Sequence, residues 1–371
     1  MCSKAVAYFS DIWVTKFPST DIVWLCGNPA SSSWNSGEEA VFCSQQVSIR
    51  QVDSGEEFLI IHQQEYWKAA FDKLVEKGYV SWDEILATEV RELKPSIFSY
   101  GFLSENHSSN RELIAVEQTA LRGIVNTISY GALHTRVDIQ AAVGQVSRGQ
   151  AHGRVRHLQA AKVLTSYVYH SRALGFCFPL SNTTWRSFSG LPIHLTADFD
   201  ASLGNSGDVF QQRRLAADGF ARQGVLLFVQ VGQVSAREAN EAGFCLGGKS
   251  GLQKTVSVNT CESEITSASW SFRLVLGTKN FVCEAFPFST IACPVLFGDN
   301  DAANRIGNNE CGVRALRHLS LQRLWVRECT KNGECRISHK PTAKNRSDML
   351  TKCLSSAKLF TLLTLLFIRP V

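Results

Sequence analysis

The alternation of apolar and polar positions changes character twice along the chain, and each change marks a different kind of element. Between Ala40 and Ile61, the runs Val41-Phe42-Cys43 with Val47-Ser48-Ile49, and then Phe58-Leu59-Ile60-Ile61, flank Asp53-Ser54-Gly55. A period of two around an Asp/Gly turn predicts a β-hairpin. From about Gln63 to Lys77 the period lengthens: Tyr66, Ala70, Leu74 and Val75 share one face, which predicts a helix. Helical spacing then dominates from Glu112 to Leu174. Leu113, Val116, Ala120, Ile124 and Ile128 predict one helix, Val137 to Val146 a second with Asp138 in its first turn, and His157 to Tyr169 a third. Polar connectors at Pro95 to Asn110 and Ser181 to Gly190 bracket this block.

After the second connector the strand period returns. Ile193-His194-Leu195-Thr196-Ala197-Asp198-Phe199-Asp200-Ala201-Ser202 is an apolar run ending in carboxylates and small residues, the pattern of a buried strand that delivers an acid to its end. Gly224 to Val229 and the flanks of Gly243 to Gly248 predict more strands of an antiparallel meander. A helix is expected from about Glu262 to Gly277, with Ile265, Ser269, Phe272 and Leu276 inward. Thr290 to Phe297 reads as a buried strand ending at Asp299; basic helical segments follow from Asp301 to Arg327, then a short strand at Cys335-Arg336-Ile337 and a helix from about Asn345. The order βββαβαβα predicts an α+β (α/β) fold, a mixed sheet flanked by helices and preceded by a β-hairpin with a helical segment. The expected division is 1–185, 186–355 and an apolar tail 356–371.

Composition changes this picture little. At 371 residues the chain can bury a large core, and the net charge of +5 is mild. The basic residues are clustered, however: Arg148, Arg154, Arg156, Lys162 and Arg172 in one region, Arg305, Arg314, Arg317, Arg323 and Arg327 in another. Such clusters suit a phosphate backbone, although a basic helix face can equally be a solvated one. The 12 cysteines lack any Cys-x-x-Cys spacing, so reduced thiols in an intracellular protein, cytoplasmic or nuclear, are expected. No secretory leader is read at the N-terminus, and Tyr8-Phe9-Ser10-Asp11 reads as a surface turn, since the second acid of a polymerase hairpin is absent. Leu359 to Ile368 is too short to cross a bilayer and is read as a docking helix or an unselected tail, with no membrane partner.

The candidate chemistry lies in four acids, each at the edge of a predicted element. Asp198 and Asp200 share one facing of the opening strand, and the small residues after Asp200 leave room there for a substrate phosphate. Glu262 stands three residues after Asn259, the spacing of a capping box, which leaves Glu264 as the free acid of that helix. Asp299 follows an apolar run, and Asp348 opens the last helix, three residues after Asn345, where a cap is the plainer alternative. Carboxylates on rigid elements form the cage that Mg²⁺ or Mn²⁺ needs to cut a phosphodiester. His339, nine residues before Asp348 in the expected loop, could exchange a proton there, or simply be solvated.

Several of these motifs resemble the C-terminal part of the Pol polyprotein of Copia-type LTR retrotransposons, the end of the reverse transcriptase followed by its RNase H domain. Asp200-Ala201-Ser202 is similar to that family's Asp-Ala-Ser/Asp opening. Lys254-Thr255-Val256-Ser257 to Cys261-Glu262-Ser263-Glu264 resembles its lysine-bearing strand and Ser-Thr-x-Glu-Ala-Glu helix start. Gly298-Asp299-Asn300-Asp301-Ala302-Ala303 resembles Cys-Asp-Asn-x-x-Ala, and Asp348-Met349-Leu350-Thr351-Lys352 resembles Ala-Asp-Ile/Met-Leu-Thr-Lys, the most specific of the set. Upstream, Leu121-Arg122-Gly123, Thr135-Arg136-Val137-Asp138-Ile139 and Ala160-Ala161-Lys162-Val163-Leu164 resemble the thumb and connection helices. The strand and helix order matches ribonuclease H as a fold-level analogy.

The resemblance implies an RNase H-like fold and Mg²⁺-dependent (or Mn²⁺-dependent) cutting of RNA in RNA–DNA hybrids. Asp200, Glu264, Asp299 and Asp348 carry over as metal ligands, expected to hold two Mg²⁺ ions, with His339 closer to the loop histidine of cellular RNases H; Lys254, Arg317 and Arg323 are candidate backbone contacts. The remaining reverse transcriptase or Pol segments are implied partners. Val137 stands where the family has proline and Ser263 where it has alanine. The paired polymerase aspartates are not in this sequence, so no polymerisation is expected of it alone. Two other readings stay open, an inactive nucleic-acid-binding remnant and an integrase- or resolvase-like nuclease on the same fold.

Overall fold

The computed structural model describes residues 39–51, 56–86, 93–180, 191–203, 220–285, 289–312 and 321–370. Tyr8 to Asp11 and the turn at 53–55 lie outside the described residues. On either side of that turn the expected hairpin forms: β2 (Gln45–Gln51) pairs antiparallel with β3 (Glu57–His62), Val47 opposite Ile61. A further strand, β1 (Glu39–Phe42), folds back on β2. Cys43 and Ser44 make that turn with φ of 50° and 61°. Both angles belong to the tight hairpin turn usually built from Asn and Gly, so the sequence carries no signature of it. β4 (Leu174–Leu180) continues the sheet beside β3.

The helical block stacks around a single apolar cluster. α1 (Gln64–Glu76) buries Trp67, Phe71 and Leu74, and α4 (Ala115–His134) buries Leu121, Ile124 and Ile128 against it. Between them lie two short helices, α2 (Trp82–Leu86) and α3 (Tyr100–Ser104). α5 (Gln140–Val146) and α6 (Val155–His170) complete the layer. Each fully buried Leu, Ile or Phe contributes about 1.5–3 kcal/mol. Arg136 and Asp138, from one of the motifs above, are both fully buried and joined at 2.8 Å, and the same guanidinium donates to the Ser171 carbonyl at 3.0 Å. That motif therefore fixes the entry of α5 to the end of α6.

The second sheet runs β7-β6-β5-β8-β9. Its members are β5 (Ile193–Ser202), β6 (Phe220–Val231), β7 (Phe244–Val256), β8 (Val295–Gly298) and β9 (Arg336–His339). β5, β6 and β7 form the expected antiparallel meander, whereas β8 and β9 join parallel to β5. This is the mixed sheet expected from the element order. The helix after the meander, α8 (Thr260–Ala285), is longer than expected and lays Ile265, Ala268 and Phe272 over Leu195, Ala197 and Phe199 of β5. Its crossover is what brings β8 alongside β5. A one-turn helix, α7 (Ala236–Glu241), sits between β6 and β7, and α9 (Asp301–Gly307) and α10 (Leu321–Lys331) lie between β8 and β9.

The chain then returns to the first sheet. After α11 (Asp348–Thr351), the apolar tail divides into α12 (Ser356–Leu365) and β10 (Ile368–Pro370), and β10 pairs with β4, Ile368 opposite Phe176. Leu359 and Leu362 pack into a third apolar cluster with Phe176 and Phe178 of the first sheet and Leu226 and Phe228 of the second. The docking alternative for the tail is the one the structure adopts. Val137, at the proline position of the family motif, is fully buried in the same cluster.

Candidate metal centre

Parallel pairing of β5 and β8 aligns two of the acids. Asp198 stands opposite Phe297, so two residues further on Asp200 and Asp299 emerge level with each other at the carboxyl ends of neighbouring strands. α8 supplies the third acid from its first turns, held down on β5 by Ile265 and by the Ser267 hydroxyl, which donates to the Asp200 carbonyl at 3.0 Å. Ligand oxygens of Asp200, Glu264 and Asp299 all lie within 4.8 Å of one another. Asp200 and Glu264 are buried, and Asp299 is half-buried.

The charges of this group are under tension. Burial, with Asp348 and Asp299 adding repulsion, pushes the Asp200 carboxyl up to about 6, against the pull of Lys352 and of the Thr351 hydroxyl that donates to it. Burial again, then Asp200 and Asp299, holds Glu264 well above the usual carboxylate range. One Glu264 oxygen accepts from the Ala201 amide at 3.1 Å; the other, Oε2, is buried without a hydrogen-bond partner. An orphaned carboxylate oxygen inside a cluster of hard oxygen donors is what a divalent cation satisfies, so these residues fit one.

Asp348 is brought near but not into the three-way group. It is 1% exposed, and it is held by Lys352 at 2.5 Å and by Lys358 of α12. Its negative charge still reaches Asp200. Glu262, by contrast, takes the capping role: its amide binds the Asn259 side chain at 2.8 Å and its carboxylate accepts from the Val258 amide at 2.8 Å. His339 ends β9 instead of lying in a loop, opposite Gly298 and therefore next to Asp299 in the sheet; its ring binds Asp301 at 2.9 Å and it is half-exposed. Lys254 is exposed on β7, one residue past Gln253, whose side chain donates to the Ser263 carbonyl at the start of α8. Arg317 lies outside the described residues, and Arg323 lies in the first turn of α10 with its side chain outside them.

The competing acid, Asp198, is spoken for. It is fully buried and receives Lys340 at 2.8 Å, Arg346 at 2.7 Å and the Asn240 amide at 3.0 Å. Burial opposes its ionisation, but the Arg346 guanidinium and the Lys340 ammonium outweigh it and hold the carboxyl below the usual range. Sequence reasoning did not find Asn240, Lys340 or Arg346, which lie 42 to 148 residues from Asp198 along the chain. Lys352 was within reach, four residues after Asp348 and just past the end of α11.

With this geometry in hand, the relatives of the chain can be named. It is similar to the retrovirus-related Pol polyprotein from transposon TNT 1-94 of Nicotiana tabacum, 24% identical over 234 residues that make up 63% of this chain and 15% of that protein. It is also similar to the retrovirus-related Pol polyprotein from transposon RE1 of Arabidopsis thaliana, 24% identical over 239 residues, 64% of this chain and 14% of that protein. The chain thus spans about 15% of the length of these relatives. Among solved structures it is similar to RNase H1 from Halobacterium salinarum NRC-1, with 16% identity over 45% of this chain and 98% of that chain and a TM-score of 0.28. The N-terminal RNase H domain of rv2228c from Mycobacterium tuberculosis, solved as a fusion with maltose binding protein, gives 10% identity, 46% and 97% coverage and a TM-score of 0.29. No family model matches the chain. Its sequence homologues are therefore retrovirus-related Pol polyproteins of plant transposons, over about 64% of its length.

Proposed function

We propose that this chain is the RNase H part of a Copia-type retrotransposon Pol protein and hydrolyses the RNA strand of RNA–DNA hybrids with Mg²⁺ or Mn²⁺. The observation that carries the reading is the convergence of Asp200, Glu264 and Asp299 within 4.8 Å, with Glu264 Oε2 left unpartnered. Three acids from far-apart segments repel one another at a buried point, an arrangement that costs stability unless a cation or substrate chemistry uses it. A bound divalent ion supplies an activated water and a Lewis acid for the phosphodiester.

The chain's own residues do the rest. Glu264 is oriented by the Ala201 amide and Asp200 by the Thr351 hydroxyl, so both present fixed oxygens to the ion. Asp299, the most accessible of the three, faces the side from which a hybrid approaches. His339, half-exposed beside it and anchored on Asp301, exchanges protons with solvent there. Lys254 meets the phosphate backbone at the rim, with Arg317 and Arg323 as further contacts. The reading implies an intracellular setting, cytoplasmic or nuclear, and the remaining Pol segments as partners. Residues 1–185 would be the residual end of the reverse transcriptase and 186–355 the nuclease unit. Among the described residues, no helix is long and apolar enough to cross a membrane.

The test is direct. Full-length protein with Mg²⁺ should shorten the labelled RNA strand of a hybrid, and Asp299→Asn should leave it intact. Salt-sensitive binding without cutting by the unaltered protein selects the inactive remnant, and cutting of duplex DNA selects the integrase-like reading.

A further inference from the structure

The fourth acid of the group is already neutralised from within the chain. Both Asp348 oxygens face ammonium groups: Lys358 donates to Oδ2, and Lys352 stands 2.5 Å from Oδ1 as an ion pair without a formed hydrogen bond. Lys352 is not confined to Asp348. Its positive charge also acts on Asp200 and Asp299. The same ammonium also acts on Glu264, so its field covers all four carboxylates. Two divalent ions sharing one cage sit about 3.5–4 Å apart, and a second ion bound on the Asp348 side of this group would meet the two ammonium groups already there. Here that ion would have to displace two tethered cations.

We infer that the site takes a single divalent ion, held by Asp200, Glu264 and Asp299, and that the Lys352 ammonium, seated by Asp348 with Lys358 behind it, serves as the second positive charge. This rests on the nuclease reading and deepens it. Charge balance supports it, because four carboxylates are matched by one divalent ion and two ammonium groups. With two divalent ions and both lysines, the buried point would carry an excess of positive charge. In the reaction, the oxygen of a water forms a bond to phosphorus and releases one proton to solvent, the bond from phosphorus to the sugar oxygen breaks, and that leaving oxygen takes up one proton from solvent water. Lys352, 46% exposed, offsets the negative charge that develops on it.

The experiment counts ions. Mn²⁺ is titrated into the full chain by calorimetry and followed by its paramagnetic resonance signal, in the unaltered protein, in Lys352→Arg, in Lys352→Met and in Lys352→Met with Lys358→Met. The expected result is about one Mn²⁺ per chain for the unaltered protein and Lys352→Arg, rising to about two when both lysines are removed. If the double variant does not fold by circular dichroism, Lys352→Met alone gives the comparison, with a second Mn²⁺ expected in weaker form. Two ions in the unaltered protein overturn the lysine assignment while leaving the nuclease reading intact. An unchanged count of one in every variant that folds overturns it as well. No binding at all removes both.

Discussion

Asp198 and Asp200 are two residues apart on one strand and point the same way, yet they live in opposite electrostatic worlds. Around Asp198, Lys340, Arg346 and Asn240 turn a buried carboxylate into the hub of a satisfied network. Around Asp200, burial and the neighbouring acids outweigh the pull of Lys352 and the Thr351 hydroxyl, and proton affinity rises instead of falling. A buried charge by itself says nothing about chemistry. What separates a structural acid from a reactive one is whether the counter-charge the fold supplies outweighs the cost of burial.

The sharpest way to break the comparison is to remove both side chains in turn. Asp198→Ala should destabilise the protein by about 3–5 kcal/mol, because it strands Lys340 and Arg346 without their partner. Urea unfolding measures this, and a loss near zero would dissolve the contrast. Asp200→Asn should do the reverse: a fall in hybrid cleavage of roughly 10²–10³-fold or more, with unchanged or higher stability in chelator, read from paired activity and melting assays.

The pH dependence carries the same contrast. Asp200 is raised from 3.8 to about 6, so the folded state holds the extra proton between those values. Its contribution to metal-free stability is therefore present below about 4 and lost as pH rises through about 6, an effect of at most about 3 kcal/mol. Asp198 has the opposite sign: its lowered pKa contributes stability above the ordinary aspartate value, lost as pH falls through the folded one. Comparing melts of the unaltered protein and Asp200→Asn across pH 4 to 8 in chelator isolates the first effect, and parallel curves would refute it. The mildest test is steric. A Cβ at Gly224 would meet Leu350 Cβ at 2.6 Å and the Ser347 carbonyl at 3.1 Å. Gly224→Ala should push α11, with Thr351 and Asp348, off β6, costing about 1–3 kcal/mol and weakening Mn²⁺ binding in titration.

How much of this was legible beforehand follows the range of the interactions. β5, α8 and the strand leading to Asp299 were written in local periodicity, and the capping spacing alone separated Glu262 from Glu264. Two acids on one face of β5 could be ranked by the small residues after Asp200, but the reason Asp198 is excluded lies in side chains contributed by α7 and the segment after β9. No spacing rule reaches that far. The Cys43-Ser44 turn was hidden because neither residue type advertises a left-handed backbone. The tail was read only in part: the docking helix was among its readings, but the strand that follows it is set by the open edge of β4.

That returning strand makes the chain's architecture a parenthesis. The polypeptide opens one layer at β1, leaves it after β4 to weave the other, and comes back through β10 to close the bracket. The last rung of the outer layer is delivered by the thread that has just finished the inner one. The two are thus clauses of a single sentence, and α11, with its lysine-bound aspartate, stands one helix before the closing mark.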